Sequence, residues 1–301
     1  MRKGKRWLAA AVSAAMIVQS LASVGPVYAA DDGVSIADTF TDSSFRSYVS
    51  SNFDTDSNGY LSDAEISNVT SIDVSKCSPA ISSLNGVELF TNLSKLDCNE
   101  QSIRNLDIEN LENLEYIDVS SNRIDSLTLP VSAEKLTYLD ISGNKITSLT
   151  SLADYNNLVL LNANSTNLSS IDVSNMKGLK VLGVSGTTIS TLDLGSNMEL
   201  TTLYCDSMRS LPVLDVSGHE KLKNLYCAGA KSDSGVVVRS SITKLDVSGD
   251  IVLGSLDCSN SYVAELNIDN TPALTTLDCS NTRLTSIDVS KNTSLSYLDV
   301  S

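Results

Sequence analysis

The sequence predicts a repeat solenoid: a stack of short turns with a parallel β-sheet on its concave side, short extended segments on its convex side, and a small helical N-terminal cap. Three observations predict it. A leucine-centred phrase returns at steps of 21 or 22 residues over most of the chain, apolar and polar residues alternate inside each copy, and aromatics make up only 5% of a chain that is 42% hydrophobic. Leu, Ile and Val must therefore build the core, which suits thin stacked layers better than one large globule.

Taken in order, the chain opens as a secretory leader over residues 1–29. Arg2, Lys3, Lys5 and Arg6 form a basic start, an apolar run follows from Trp7 to Val18, and Val27-Tyr28-Ala29 offers small residues for cleavage near Ala30. A retained membrane anchor is the alternative, but the run is shorter than the ~20 residues a span needs. Export through the Sec pathway to the medium or the cell surface is the expectation, with no membrane insertion once the leader is removed. Removal also takes away four basic residues, so the formal charge of −15 becomes −19. Nucleic acid phosphates and anionic lipid heads would repel such a chain, and neither is expected as a partner.

Residues 30–68 read as the cap. Phe45, Tyr48, Val49 and Phe53 fall at helical spacing, and residues 63–67 can begin a second helix. Between them, Asp54-Thr55-Asp56-Ser57-Asn58-Gly59-Tyr60-Leu61-Ser62-Asp63-Ala64-Glu65 matches the EF-hand loop at every specified position. The spacing follows from the coordination of calcium. Asp54, Asp56 and Asn58 place oxygens at alternate positions around a turn that Gly59 permits, Tyr60 offers its carbonyl, Ser62 a water-mediated contact, and Glu65 two carboxylate oxygens. A solvated turn that binds nothing is the plain alternative. A fixed structural calcium ion is favoured over a sensor, because only one loop is present; dockerin-like docking, which uses two, is disfavoured on the same ground.

Residues 69–301 carry the repeat Leu-x-x-Leu-Asp-Cys/Val-Ser-x-Asn-x-Leu. Its first leucine falls at Leu93, Leu114, Leu136, Leu158, Leu179, Leu200, Leu222, Leu253, Leu274 and Leu295, after a looser copy from Val69. Leu139 and Ile141 should point inward and Asp140 outward, as in a half-buried strand. Asn122 and Asn144 should bond the backbone of neighbouring turns. The second half of each copy alternates again, as in Leu192-Asp193-Leu194 and Leu214-Asp215-Val216, so the back should be extended rather than helical.

These copies resemble the bacterial leucine-rich-repeat family, implying a horseshoe with its parallel sheet on the concave face. The connections Leu84-Asn85-Gly86-Val87-Glu88-Leu89-Phe90-Thr91-Asn92-Leu93 and Leu149 to Leu158 resemble those of internalin-type surface proteins. The resemblance implies protein binding and adhesion rather than catalysis. One step, from Leu222 to Leu253, is 31 residues; its extra residues in 228–241 read as a bulging loop, either functional or insertional drift. The final copy has no capping segment, so the natural protein is expected to continue beyond Ser301.

Cys98, Cys205, Cys227, Cys258 and Cys279 occupy the inward position that Val119 and Ile141 fill in sister copies. Neighbouring strands bring such pairs within disulfide distance, yet parallel side chains would strain the bond, so free thiols are expected. Cys77 sits at a turn and is ambiguous. The lone histidine, His219, reads as an exposed loop residue, and no catalytic constellation is found. On the concave face Tyr116, Tyr138, Leu160, Val181, Tyr204 and Tyr226 form a candidate ligand patch between runs of aspartate. Ordinary strand formers beside solvated consensus acids are the competing reading. Two functions follow: a surface module that recognises a protein or glycan, or the N-terminal stalk of a larger surface enzyme or adhesin.

Overall fold

The computed structural model describes residues 33–149, 152, 155–231 and 236–301. The leader expected over residues 1–29 lies outside them, as do the start of the cap at 30–32 and parts of the 149–158 connection and the 228–241 insertion. The description that follows concerns the compact unit Gly33–Ser301.

The cap begins with a two-residue strand β1 (Val34–Ser35) and a short helix α1 (Ile36–Thr39), followed by α2 (Ser43–Asn52), β2 (Tyr60–Leu61) and α3 (Asp63–Asn68). Asp42 starts α2 by accepting the Ser44 and Phe45 amides at 2.9 and 3.1 Å. Its second oxygen accepts Ser82 N–H and Oγ–H at 2.9 and 2.7 Å, tying the cap to the first turn of the solenoid. Phe40, Phe45 and Phe90 are fully buried together, the Phe40 ring 5.4 Å from Phe45 and 6.0 Å from Phe90. All four phenylalanines of the chain fall within residues 40–90, and this cluster closes the solenoid's apolar end.

The solenoid follows from the repeat. In one copy Leu136, Leu139, Ile141 and Ile146 are all buried, and each buried leucine or isoleucine contributes roughly 1.5–3 kcal/mol. A single turn has nothing to bury them against, so successive turns stack. The result is an eleven-stranded parallel sheet, from Ser71–Asp73 through Lys95–Asp97, Tyr116–Asp118, Tyr138–Asp140, Leu160–Asn162, Val181–Gly183, Thr202–Tyr204, Asn224–Tyr226, Ser255–Asp257 and Thr276–Asp278 to Tyr297–Asp299. Register is unbroken: Ile117 pairs Leu139, which pairs Leu161, which pairs Leu182.

The chain leaves most strands through a residue in the left-handed region, among them Glu100, Ser121, Gly143, Ser165, Gly186 and Ser207. The next residue supplies the expected ladder. Asn144 Oδ1 accepts Ile124 N–H at 2.9 Å while its Nδ2 donates to Val119 O at 2.9 Å and Ile141 O at 3.0 Å; Asn122 repeats the pattern one turn earlier. The back is extended, as the alternation predicts, with parallel ladders of Asn105–Asp107 with Ser126–Thr128 and of Val213–Asp215, Lys244–Asp246 and Glu265–Asn267. Within the insertion, Ala230–Lys231 and Val237–Val238 pair as the antiparallel strands of a hairpin. Gly229 is required at its base, where a Cβ would stand 2.1 Å from Asn260 O.

Candidate functional site

Concave residues are the first and third of each strand. Tyr116, Tyr138, Leu160 and Val181 occupy the first position of four adjacent strands, and Tyr204 and Tyr226 the third position of the next two strands. The six therefore form one band that crosses the sheet diagonally. Tyr116 and Tyr138 stack at 4.2 Å and are half-buried. Tyr204 and Tyr226 stack at 4.8 Å with an interplanar angle of 6°, and they keep 36% and 42% of their surface exposed.

The aspartates differ from the expectation of solvated acids. Asp97, Asp118 and Asp140 face the concave side but are 8–9% exposed. Residues two places on fold back over them: Asp118 Oδ1 accepts Ser120 N–H and Oγ–H at 3.0 and 2.6 Å, and Asp140 Oδ1 does the same with Ser142 at 2.9 and 2.6 Å. Burial, with the charges of Asp118 and Asp73, raises the Asp97 carboxyl above its ordinary range. Asp257 is exposed. Asp206 is the one acid at a repeat position that sister copies fill with Ser, Asn or Ala; burial pushes it up to about 6, with Asp257 adding to the rise. Lys95 ties the other end of the face together, 3.9 and 3.6 Å from the Asp73 and Asp97 carboxylates and 5.1 Å from the Tyr116 ring centroid.

In the cap, the loop between α2 and α3 gathers the acids that its spacing brings round. Carboxylate oxygens of Asp54, Asp56 and Glu65 lie within 4.8 Å of one another. Oxygens bound to one calcium at about 2.3–2.6 Å span that distance. Gly59 adopts φ +85°, and backbone amides hold the acids in place: Asn58 N–H donates to Asp54 and Asp56 at 3.1 Å each, and Gly59 N–H to Asp54 at 3.0 Å. Asn58 Oδ1 accepts Tyr60 N–H at 2.7 Å. Glu65 closes a capping box with Ser62 on α3, and hydrogen bonds from Thr55, then Ser62, hold its carboxyl down at about 2. Leu61 is fully buried beneath the loop, and β2 pairs antiparallel with β1, so the loop's strand edge is covered from within the cap. All-oxygen donors with three carboxylates suit a hard divalent cation.

His219 corrects the sequence reading: it is 2% exposed, not a surface loop residue. Gly218, at φ +75°, turns the chain so that the imidazole enters the core. Its Nδ1 lies 2.7 Å from Val216 O and its Nε2 3.2 Å from Leu194 O. The missed signal was positional. Three residues before each leading leucine runs a buried column, apolar in Phe90, Leu111, Ala133, Tyr155 and Met176, polar in Asn197, His219, Asp250, Thr271 and Asn292. Cys205, Cys227, Cys258 and Cys279 form a second buried column on four successive strands and are free, as is the half-buried Cys77.

A family model for leucine-rich repeats (two copies) matches residues 112–154. Among solved structures, an internalin (inlF) from Listeria monocytogenes is 18% identical with TM-score 0.54, covering 89% of this chain and 98% of that one. The chain has the leucine-rich-repeat fold. Internalin C2 from the same species is likewise 18% identical, with TM-score 0.55, covering 77% of this leucine-rich-repeat chain and 96% of its own. A TLR13 structure in complex with ssRNA13 matches at 19% identity and TM-score 0.51 over 69% of this chain and 33% of that one. Comparison with curated proteins finds no match.

Proposed function

We propose that this chain is an exported, non-catalytic recognition module that binds a protein ligand on its concave leucine-rich-repeat face and carries a structural calcium ion in its cap. The observation that carries the reading is the Tyr204 and Tyr226 pair. Large aromatics exposed on a sheet and already ordered by stacking contribute most to an interface when a partner desolvates them. The band from Tyr116 through Leu160 and Val181 extends the same surface. Export rests on the leader, and the calcium ion on the converging acids of the cap loop. The single histidine has both ring nitrogens beside carbonyl oxygens in the core, which leaves it unsuited to act as a surface general base.

The test begins with a glycan array and with pull-down from host and cell-wall extracts. The captured ligand is then titrated against Tyr204→Ser with Tyr226→Ser, and against a convex control, Asp193→Ser with Asp215→Ser. The concave variant is expected to lose at least about tenfold in affinity, and the control to keep it. Loss in the control alone would move the site to the convex face or the hairpin, and a purely glycan ligand would replace the protein assignment.

A further inference from the structure

The third positions of five strands lie in register as Tyr204, Tyr226, Asp257, Asp278 and Asp299. Adjacent strands are spaced about 4.8 Å. Because the two tyrosine rings are nearly parallel and stacked on each other, one face of Tyr226 is covered by Tyr204 and the other looks toward the Asp257 strand. Asp257 Oδ1 accepts Ser259 N–H and Asp278 Oδ1 accepts Ser280 N–H, each at 2.9 Å, an arrangement that leaves the second oxygen of each for another donor. Asp206 lies two residues beyond Tyr204, in the turn that follows its strand.

The protein builds the matching constellation once with its own cation. At the N-terminal end of the face, the Lys95 ammonium sits over the Tyr116 ring with the Asp73 and Asp97 carboxylates beside it. At the C-terminal end the aromatic face and the carboxylates recur without the ammonium. Among the described residues no ion pair reaches Asp206, Asp257, Asp278 or Asp299.

We propose that the concave face receives a basic polypeptide segment, with one lysine or arginine against the free face of the Tyr226 ring and further basic side chains along the Asp257, Asp278 and Asp299 column. The inference rests on the concave-face reading and supplies its ligand class. Ring quadrupole and carboxylates attract the same cation, and complementary charge selects the partner and speeds its arrival. A row of three carboxylates fits several charges on one strand of polypeptide, whereas a small amine satisfies one or two. The elevated Asp206 carboxyl, crowded by Asp257, is a place where an arriving cation gains twice, by pairing and by relieving repulsion.

The experiment titrates the full chain into fluorescent nona-lysine, nona-glutamate and an equally long Gly-Ser peptide, with spermine as competitor. The variants are Tyr226→Ser, Tyr226→Phe, Asp257→Asn with Asp278→Asn, and a convex pair of equal charge change, Asp193→Asn with Asp215→Asn. Melting of each variant confirms the fold. Nona-lysine is expected to bind at least about fivefold more weakly to Tyr226→Ser and to the concave Asn pair, with Tyr226→Phe and the convex pair within about twofold of wild type. Equal losses in the two Asn pairs, or no binding of nona-lysine, would overturn the proposal. Spermine binding as tightly as nona-lysine would overturn its polypeptide part. Tyr226-dependent binding of the glutamate or Gly-Ser peptide would overturn the charge class and leave the concave reading standing; convex-dependent binding of all probes would remove both.

Discussion

The His219 backbone N–H donates to Asp250 Oδ1 at 2.9 Å across 31 residues of sequence, joining the two turns between which the long insertion leaves and returns. Both residues are buried, and Asp250 Oδ2 has no hydrogen-bond partner among the described residues. Burial, with Asp246 and Asp215 nearby, pushes the Asp250 carboxyl up to about 8. A carboxyl raised on folding binds its proton more tightly in the native state than in the unfolded chain. Its contribution is complete below the unfolded value of about 4 and is lost as pH rises toward 8.

Asp250→Asn keeps the acceptor for His219 and cannot ionise. Its melting temperature relative to wild type should rise between pH 5 and pH 8, by about 2–4 °C for each kcal/mol recovered. A difference that stays constant across that range would contradict a buried, proton-holding Asp250.

The cap loop makes a separable prediction. With calcium at about tenfold its dissociation constant, binding should stabilise the fold by about 1.4 kcal/mol and raise the melting temperature by roughly 3–5 °C. Glu65→Gln should abolish the shift, and chelator should bring wild type down to its level. No calcium-dependent shift in wild type would rule the ion out.

Asn144 tests the inner ladder. It is 4% exposed and bonds backbone groups of two turns. Asn144→Leu leaves those groups unpaired and should cost about 2–3 kcal/mol in urea unfolding. A cost below about 0.5 kcal/mol would mean that the ladder is incidental to stacking.

The cysteine column should be reduced and slow to react. Burial pushes the Cys205 and Cys227 thiols well above their ordinary range, so little thiolate forms. Alkylation of the native chain should spare Cys205, Cys227 and Cys258, and alkylation after non-reducing denaturation should label all of them. Disulfide-linked peptides would show that the column closes in pairs.

Most of the fold was legible because the repeat states it many times over. The period gave the turns, the alternation gave both faces, and Asn122 and Asn144 gave the ladder. The six concave residues lie on neighbouring strands, four of them half-buried and only Tyr204 and Tyr226 exposed. What the sequence hid depends on neighbours rather than on the residue itself. Asp97 and Asp140 read as solvated because alternation points them outward, yet the residues two places on cover them. His219 read as an exposed loop residue because a lone imidazole after a glycine suits a solvated turn. Aligning the copies on their leading leucine places it in the column of Phe90 and Met176. Lys95 over Tyr116 depends on a contact between adjacent turns, which no single copy displays.

The most direct test of concave recognition is hydroxyl-radical footprinting of the chain with and without its captured protein ligand. Tyr204 and Tyr226 on the concave sheet, 36% and 42% exposed, are compared with Val213 on the convex ladder and Met198 off the concave sheet, 48% and 47% exposed. Each residue's oxidation rate with ligand is compared with its own rate without it. Ligand should protect Tyr204 and Tyr226 and leave Val213 and Met198 unchanged; protection of Val213 with Tyr204 and Tyr226 still fully reactive would contradict binding on the concave face.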